Sequence, residues 1–325
     1  MRGSICEEGS ISSGNFLVPL LIGAKYLNKN ISNKLYSSCS NQINCRKRTL
    51  CNNNKLNNLA SYLAGLFEGD GHISILKKNG DKQKIIIGIT FNIKDLPLCK
   101  YLKVLLGYGW IRIKEKENAC VLIFHTDKNV INFIKQINGY LRSPKLYKFN
   151  LIIDYFNNKF KLDIIKYNVN MSELSNDSWL AGFVDADGGF YIRYTESMKM
   201  QIACTLSIEQ RLIDPLSGLS YQPLFLKIAE FLKTKLKISK HNINKEYYKV
   251  TGHNRNSLNI ILSYFNKFNL YSSKYLDYKD WSKAAELLLN NQAYLSENKK
   301  RIRTWKDSMN RKRSVFTWDH LNNLR

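Results

Sequence analysis

The sequence predicts an α+β protein built from two copies of one domain, and three observations predict it. The stretch "LAGLFEGDG" at residues 63–71 recurs as "LAGFVDADG" at residues 180–188, so that Asp187 answers Asp70 117 residues later. The order of helix-like and strand-like segments that follows the first copy also follows the second. An apolar fraction of 44% over 325 residues is enough for two cores of ordinary size. A period of 117 residues is too long for a solenoid unit, so the repeat is a domain-sized duplication.

Residues 1–52 are rich in Ser, Asn, Cys and Gly, lack sustained periodicity and end in the basic run "CRKRTLC"; they are expected to be a disordered extension. The first domain is expected over 53–163. "NNLASYLAGLFEGDG" reads as a helix ending at the glycine, and "HISILKK" and "KQKIIIGITFNI" read as strands. The amphipathic "DLPLCKYLKVLLG" follows, then the hairpin-like "WIRIKEKENACVLIFHT" and the helices "DKNVINFIKQINGYL" and "KLYKFNLIIDYFNNK". A linker is expected over 164–174. The second domain, 175–290, repeats the order: the helix "DSWLAGFVDADGG", strands "FYIRYTES" and "KMQIACTLSIEQ", helix "PLFLKIAEFLKTKL", hairpin "ISKHNINKEYYKVTGH", and helices "RNSLNIILSYFNKF" and "KYLDYKDWSKAAELLL". "LIDPLSGLSYQP", with Pro215, Gly218 and Pro223, reads as an inserted loop, and residues 291–325 as a basic tail, helical or flexible.

Fifty Lys and Arg against twenty-six Asp and Glu give a net charge of +24, spread over the whole length. A polyanion is the natural partner. Nucleic acid comes first, because each phosphate neutralised by Lys or Arg releases a counterion. The seven cysteines are odd in number and contain no C-x-x-C pair, which argues against a disulfide framework or a zinc knuckle and for a reducing compartment. The apolar run "NFLVPLLIGA", Asn15 to Ala24, is shorter than the roughly 20 residues of a spanning helix, so no membrane segment is expected.

The repeated stretch itself carries chemistry. Gly65 and Gly69, and at the same places Gly182 and Ala186, put two small residues on one helix face. A mid-helix glycine costs about 1 kcal/mol relative to alanine, which makes sense where another backbone comes very close. The other copy is the simplest partner, giving a pseudo-twofold pair of helices. Asp70 and Asp187 then sit together at two helix C-termini, where the macrodipole and their mutual repulsion both disfavour negative charge. A divalent cation between them resolves this, and Mg2+ suits one or two carboxylates plus phosphate oxygens. For a single copy, an ordinary glycine cap beside a solvated acid is an adequate account. Two copies at equivalent places favour a site. Glu68 and Asp185, two positions earlier, read as capping or structural groups.

With these motifs in hand, the chain resembles the LAGLIDADG homing endonucleases in their single-chain, two-motif form, from about Asn57 to Leu289. The resemblance implies two αββαββα domains related by a pseudo-twofold axis, motif helices at their interface, and a saddle of antiparallel strands along the DNA major groove. It implies metal-dependent cleavage of both strands of a long specific site, with Asp70 and Asp187 as catalytic, metal-binding acids. A basic residue before each domain's last helix falls at Lys145 and Lys274. Its role would be to stabilise developing charge or poise the attacking water, or simply to sit on a phosphate-facing loop. A polar residue near the end of the second strand falls at Gln210 and Asp95.

Strand alternation then gives the DNA-reading face. His72, Ser74 and Lys78 are in step with Asp70, and Tyr191, Arg193 and Thr195 lie on the matching side of the second half. Ile73, Ile75, Phe190 and Ile192 should pack beneath the helices. Arg193 is the residue of choice for a guanine contact. Finally, "GNFLVPLLIGA" resembles a piece of cytochrome oxidase subunit I, as if exon-derived residues were fused to an intron reading frame, which would place the protein in the mitochondrion. The leading expectation is a monomeric intron-homing endonuclease on double-stranded DNA. An RNA maturase acting on its own intron and a non-cleaving DNA-binding protein are the alternatives.

Overall fold

The computed structural model describes residues 57–77, 83–196, 201–242 and 245–324. The expected N-terminal extension and Lys78 lie outside these residues. Both halves belong to one compact unit.

In the first half, helix α1 over residues 57–70 runs straight into β1 (Gly71–Lys77), which pairs antiparallel with β2 (Gln83–Asn92). Helix α2 (Leu96–Leu106) starts with Pro97 in its first turn and stops at Gly107, whose φ of 74° closes the helix in the left-handed conformation. Strands β3 (Trp110–Lys114) and β4 (Ala119–Phe124) and helices α3 (Asp127–Ile137) and α4 (Leu146–Phe160) complete the half. The second half repeats the order as α5 (Trp179–Asp187), β5 (Gly188–Thr195), β6 (Gln201–Arg211), α6 (Gln222–Phe231), β7 (Leu236–Asn242), β8 (Lys245–Gly252), α7 (Arg255–Lys267) and α8 (Lys274–Leu289). Each half holds a four-stranded antiparallel sheet with the same topology, β1-β2-β4-β3 and β5-β6-β8-β7.

The alternation expected along the strands holds where it matters. Ile73, Phe190 and Ile192 are buried under the helices, whereas His72, Tyr191 and Arg193 are exposed on the opposite face. Ile75 is the exception: it is 41% exposed on the edge strand β1, although its partner Ile85 on β2 is buried. The inserted stretch after β6 is a loop, closed by a bridge between Ile213 and Ser220 and turned at Gly218.

Two connecting segments are built into the fold. Arg142 reaches across to the linker, donating to the Ser172 carbonyl at 2.5 Å, to Ser172 Oγ at 2.8 Å and to Asp177 Oδ2 at 2.9 Å. The basic C-terminal stretch forms helix α9 (Ser296–Asp307) against α8 and β5, with Ile302 and Met309 buried. Beyond α9, Arg313 donates to Asp277 at 2.8 Å and to Asp280 at 2.7 Å, and His320 stacks on Tyr275 with ring centroids 4.2 Å apart. No helix among the described residues is long and apolar enough to cross a membrane.

Candidate active site between the motif helices

Helices α1 and α5 touch backbone to backbone. A Cβ added at Gly65 would overlap the Trp179 carbonyl oxygen and lie 2.8 Å from Phe183 N; one added at Gly182 would overlap the Tyr62 carbonyl oxygen and lie 2.8 Å from Leu66 N. The two clashes mirror each other, as a pseudo-twofold axis requires. One turn later, a Cβ at Gly69 would overlap Ala186 Cβ and reach Asp187 Oδ2 at 3.2 Å. The small residues therefore set how closely the carboxyl ends approach.

Polar bonds lock this contact at its other end. Ser61 and Ser178 hydroxyls lie 2.8 Å apart. Tyr62 OH donates to Asp185 Oδ2 at 2.8 Å, and Trp179 Nε1 donates to Glu68 Oε2 at 2.7 Å, so each half's aromatic donor serves the other half's acid. Glu68 and Asp185 are buried. Glu68 also accepts from the backbone N–H groups of Arg142 (2.9 Å) and Ser143 (2.6 Å), and Asp185 from those of Tyr271 (2.7 Å) and Ser272 (3.2 Å). These acids do not cap their own helices; they fix the chain just before α4 and α8. Burial pushes both carboxyls above the usual range, against the pull of these donors. The two residues just before each repeated stretch carried this signal, since Ser61-Tyr62 and Ser178-Trp179 occupy equivalent places.

Anchoring those loops places the two lysines. Lys145 immediately precedes α4, and its ammonium donates to three carbonyls where α1 runs into β1: Phe67 at 3.2 Å, Gly69 at 2.9 Å and Gly71 at 2.8 Å. Lys274 opens α8 and donates to the equivalent carbonyls of Val184 at 3.1 Å and Ala186 at 2.6 Å. Helix C-termini leave such carbonyls without intrahelical donors and carry partial negative charge, so a lysine there answers both needs. Burial lowers both ammonium pKa values, while the nearby acids oppose the shift.

Asp70 and Asp187 follow directly. A cavity of about 440 Å3 is lined by Gly69, Asp70, His72, Lys145, Lys148, Asp187, Gln210, Arg211, Asp214 and Tyr221, which brings four sequence-predicted residues besides His72 to one place. Gln210 Nε2 donates to Asp187 Oδ2 at 2.8 Å. Asp70 is exposed on the rim and Asp187 is half-buried. Desolvation, then the negative charge of Asp70, pushes the Asp187 carboxyl up to about 7, although Lys274, Lys145 and Arg211 pull it down. Asp70 is also raised, by desolvation against the two lysines.

Asp95 is not part of this cavity, and its pairing with Gln210 slips. Because Gly71 pairs with Ile89 and Gly188 with Ile208, the register counterpart of Gln210 is the buried Phe91, and that of Asp95 is Asp214. Asp95 crosses to the other half and accepts from the backbone N–H of Ser273 at 2.6 Å. The mirror-image bond is chemically impossible, because the counterpart of Ser273 is Pro144, which has no N–H. Asp214 instead caps its own loop, accepting from Ser217 N at 2.9 Å and Ser217 Oγ at 2.8 Å.

On the strands, His72 lies over Gly88, where a Cβ would come within 2.5 Å of its ring. Burial, followed by Lys145, lowers its pKa, which favours the neutral imidazole. Ser74 is half-buried. Tyr191 and Arg193 are exposed; Thr195 is partly turned inward, its hydroxyl accepting from Gln201 N at 3.0 Å across the hairpin. Lys148, Arg211, Asp214 and Tyr221 are polar cavity residues that the sequence did not single out. Arg211 had a signal, being a basic residue directly after Gln210 at a strand end.

The model of the "LAGLIDADG endonuclease" family matches residues 63–159 and 180–285, one match for each half. The chain belongs to this family. It is 31% identical over 314 residues to the "Intron-encoded DNA endonuclease aI3" of Saccharomyces cerevisiae, covering 83% of this chain and 74% of that one. It is also 31% identical over 242 residues to an "Uncharacterized cox1 intron-2 37.2 kDa protein" of Schizosaccharomyces pombe, covering 73% and 68% of the two chains. Similarity extends, at 27% identity over 57% of this chain and 27% of the relative, to the "Intron-encoded RNA maturase bI4" of Saccharomyces cerevisiae. Among solved structures, the LAGLIDADG homing endonucleases I-GzeII (TM-score 0.63, 22% identity, 78% of this chain, 99% of that one) and I-LtrWI (0.64, 18%, 80%, 100%) share the fold, and both were solved with target DNA. The family match stops at residue 285, so α9 and the segment after it lie beyond it.

Proposed function

We propose that this protein is a site-specific endonuclease that cuts both strands of a long DNA target with the help of a divalent metal ion. The observation that carries the reading is the meeting of Asp70 and Asp187 in one cavity beneath two exposed strand faces in a chain of net charge +24. Nothing about packing demands two acids at two helix ends, where the macrodipole opposes them.

The residues fit a hard divalent cation. Asp187 is pushed to about 7 by burial and by Asp70, so the centre is short of positive charge despite two lysines. The oxygen donors are two carboxylates, which suits Mg2+, an ion that keeps waters and takes phosphate oxygens. When bound, the metal would lower the pKa of an attacking water and offset charge on the phosphate. Asp70 and Asp187 would hold it; Gln210 fixes the orientation of the Asp187 carboxylate. Lys145 and Lys274 hold the helix ends through their carbonyls and lend positive potential, a role more indirect than poising the water. His72, Ser74, Tyr191 and Arg193 lie on the faces that would meet the groove, with Arg193 free to reach a base edge.

A monomer suffices, because both halves are in one chain. The relative named for a cox1 intron supports a mitochondrial, intron-encoded origin. The maturase-named relative supports a second reading, assistance to splicing of the protein's own intron RNA, but that reading leaves the acid pair without a role. Incubating the full chain with Mg2+ and a duplex spanning the intronless insertion site tests the proposal: a double-strand break at one position is expected. Tight binding of intron RNA with no cutting of any duplex would favour the maturase reading.

A further inference from the structure

The strands of the two sheets carry only two carboxylates among the described residues, Glu209 and Glu246. Glu246 is in step with the buried Tyr248 and Val250, at the hairpin end, and pairs with Lys240 at 2.9 Å. Glu209 is in step with Thr205, Ser207 and Arg211, on the open face that also bears Tyr191 and Arg193. A single acid on a surface otherwise suited to phosphate weakens binding to every DNA sequence alike. Its retention there asks for a specific partner.

Neighbours on two strands hold Glu209 ionised and fixed. Oε1 accepts from Ser239 Oγ and from His241 Nε2, the latter at 2.7 Å, both on β7. Oε2 faces Lys249 Nζ of β8 at 3.6 Å, an ion pair beyond hydrogen-bond length. The Glu209 side chain is 21% exposed, and the His241 ring is in turn held edge-on by Tyr247 with centroids 5.0 Å apart. The arrangement uses the two lone pairs of Oε1 and leaves acceptor capacity on Oε2. An oriented, ionised acceptor that cannot donate discriminates among base edges. In the major groove it suits the exocyclic amino group of cytosine, meets that of adenine only beside the repelling N7 acceptor, and is repelled by both the carbonyl and N7 of guanine.

We propose that Glu209 is a specificity-determining residue that reads a cytosine amino group, with Ser239 and His241 as positioning residues that aim it. This rests on the endonuclease reading above and names one of its base contacts. Because Glu209 adjoins Gln210, which touches Asp187, the base pair it reads lies close to the cut on the second half's side.

The test is selection from a pool of randomised duplexes with the full chain in Ca2+, followed by sequencing, for the wild type, Glu209→Gln and His241→Ala. The wild type is expected to enrich a C·G pair at a position near the centre of its site. E209Q should lower the preference at that position by about tenfold and leave the others unchanged, with overall affinity equal or higher. H241A should relax the same position. A thermal melt separates this from a structural role, since an aiming network alters one base preference without a matching loss of stability. An unchanged profile in E209Q, or a uniform flattening with a lowered melting temperature, overturns the assignment. Failure of the wild type to enrich any sequence would instead overturn the endonuclease reading on which it rests.

Discussion

Replacing Gly182 by Ala sets two well-defined effects against each other. Alanine in a helix interior is favoured over glycine by about 1 kcal/mol, so on propensity alone the variant should be more stable. The new Cβ would overlap the Tyr62 carbonyl oxygen and lie 2.8 Å from Leu66 N, and both atoms belong to the backbone of α1, which cannot swing aside as a side chain can. The helices must separate until the contact is ordinary. Overpacking of this kind costs about 1–3 kcal/mol. Separation also stretches the Tyr62–Asp185 and Trp179–Glu68 bonds, each donated to a buried carboxylate and worth about 1.5–3 kcal/mol. With both bonds lost, the net expectation is destabilisation by about 3–8 kcal/mol, and a melting temperature lower by on the order of 10 °C. A calorimetric or circular-dichroism melt of the purified variant measures it. A variant as stable as the wild type, or more so, would refute the claim that the motif helices meet at this glycine.

Three other outcomes follow from the same geometry. The folded-state pKa of Asp187 is raised to about 7 from an ordinary 3.8, so the metal-free fold binds a proton that the unfolded chain has released, and its stability should fall as pH rises through that window. Mg2+ competes with that proton, so the melting temperature should respond to Mg2+ more at pH 8 than at pH 5.5; an equal response would contradict it. Lys145→Met removes three hydrogen bonds from the end of α1, and chemical denaturation should show a loss of about 2–4 kcal/mol, accompanied by reduced cleavage. Truncation after residue 295 leaves Asp277 and Asp280 without Arg313 and exposes the α8 face that Ile302 covers; a loss of about 3–5 kcal/mol, seen as poor solubility or early melting, is expected.

The duplication, the helix ending at each acid and the close approach of the two motif helices at Gly65 and Gly182 were legible because they depend on local spacing that repeats. The acids were legible for the same reason: one Asp before a glycine is ambiguous, and two at equivalent places are not. What Glu68 and Asp185 do was only partly legible, because their partners come from loops some 75–87 residues away that chain spacing does not reveal. The misplaced pairing of Gln210 with Asp95 has a similar cause: register is set by cross-strand pairs, and two strands of unequal length defeat alignment by motif alone. The C-terminal segment was opaque because its buried anchors, Ile302, Met309, Leu321 and Leu324, are few and irregularly spaced within a strongly basic stretch. Periodicity cannot find a segment held by four scattered apolar residues and an Arg313 ion pair.

In the proposed endonuclease, Asp70 and Asp187 together form the cutting centre, and neither is needed to hold the fold or the DNA; this pairing is the point most worth testing. It is tested most directly by Asp70→Asn and Asp187→Asn, assayed on an end-labelled intronless duplex in Mg2+ with each strand followed separately, alongside binding in Ca2+. Each variant should lose cleavage by at least about a hundredfold, on the order of the cost of removing a charged group from a reaction centre, with affinity within a few-fold of the wild type. Full cleavage by either variant, or loss of binding in step with loss of cleavage, would contradict it.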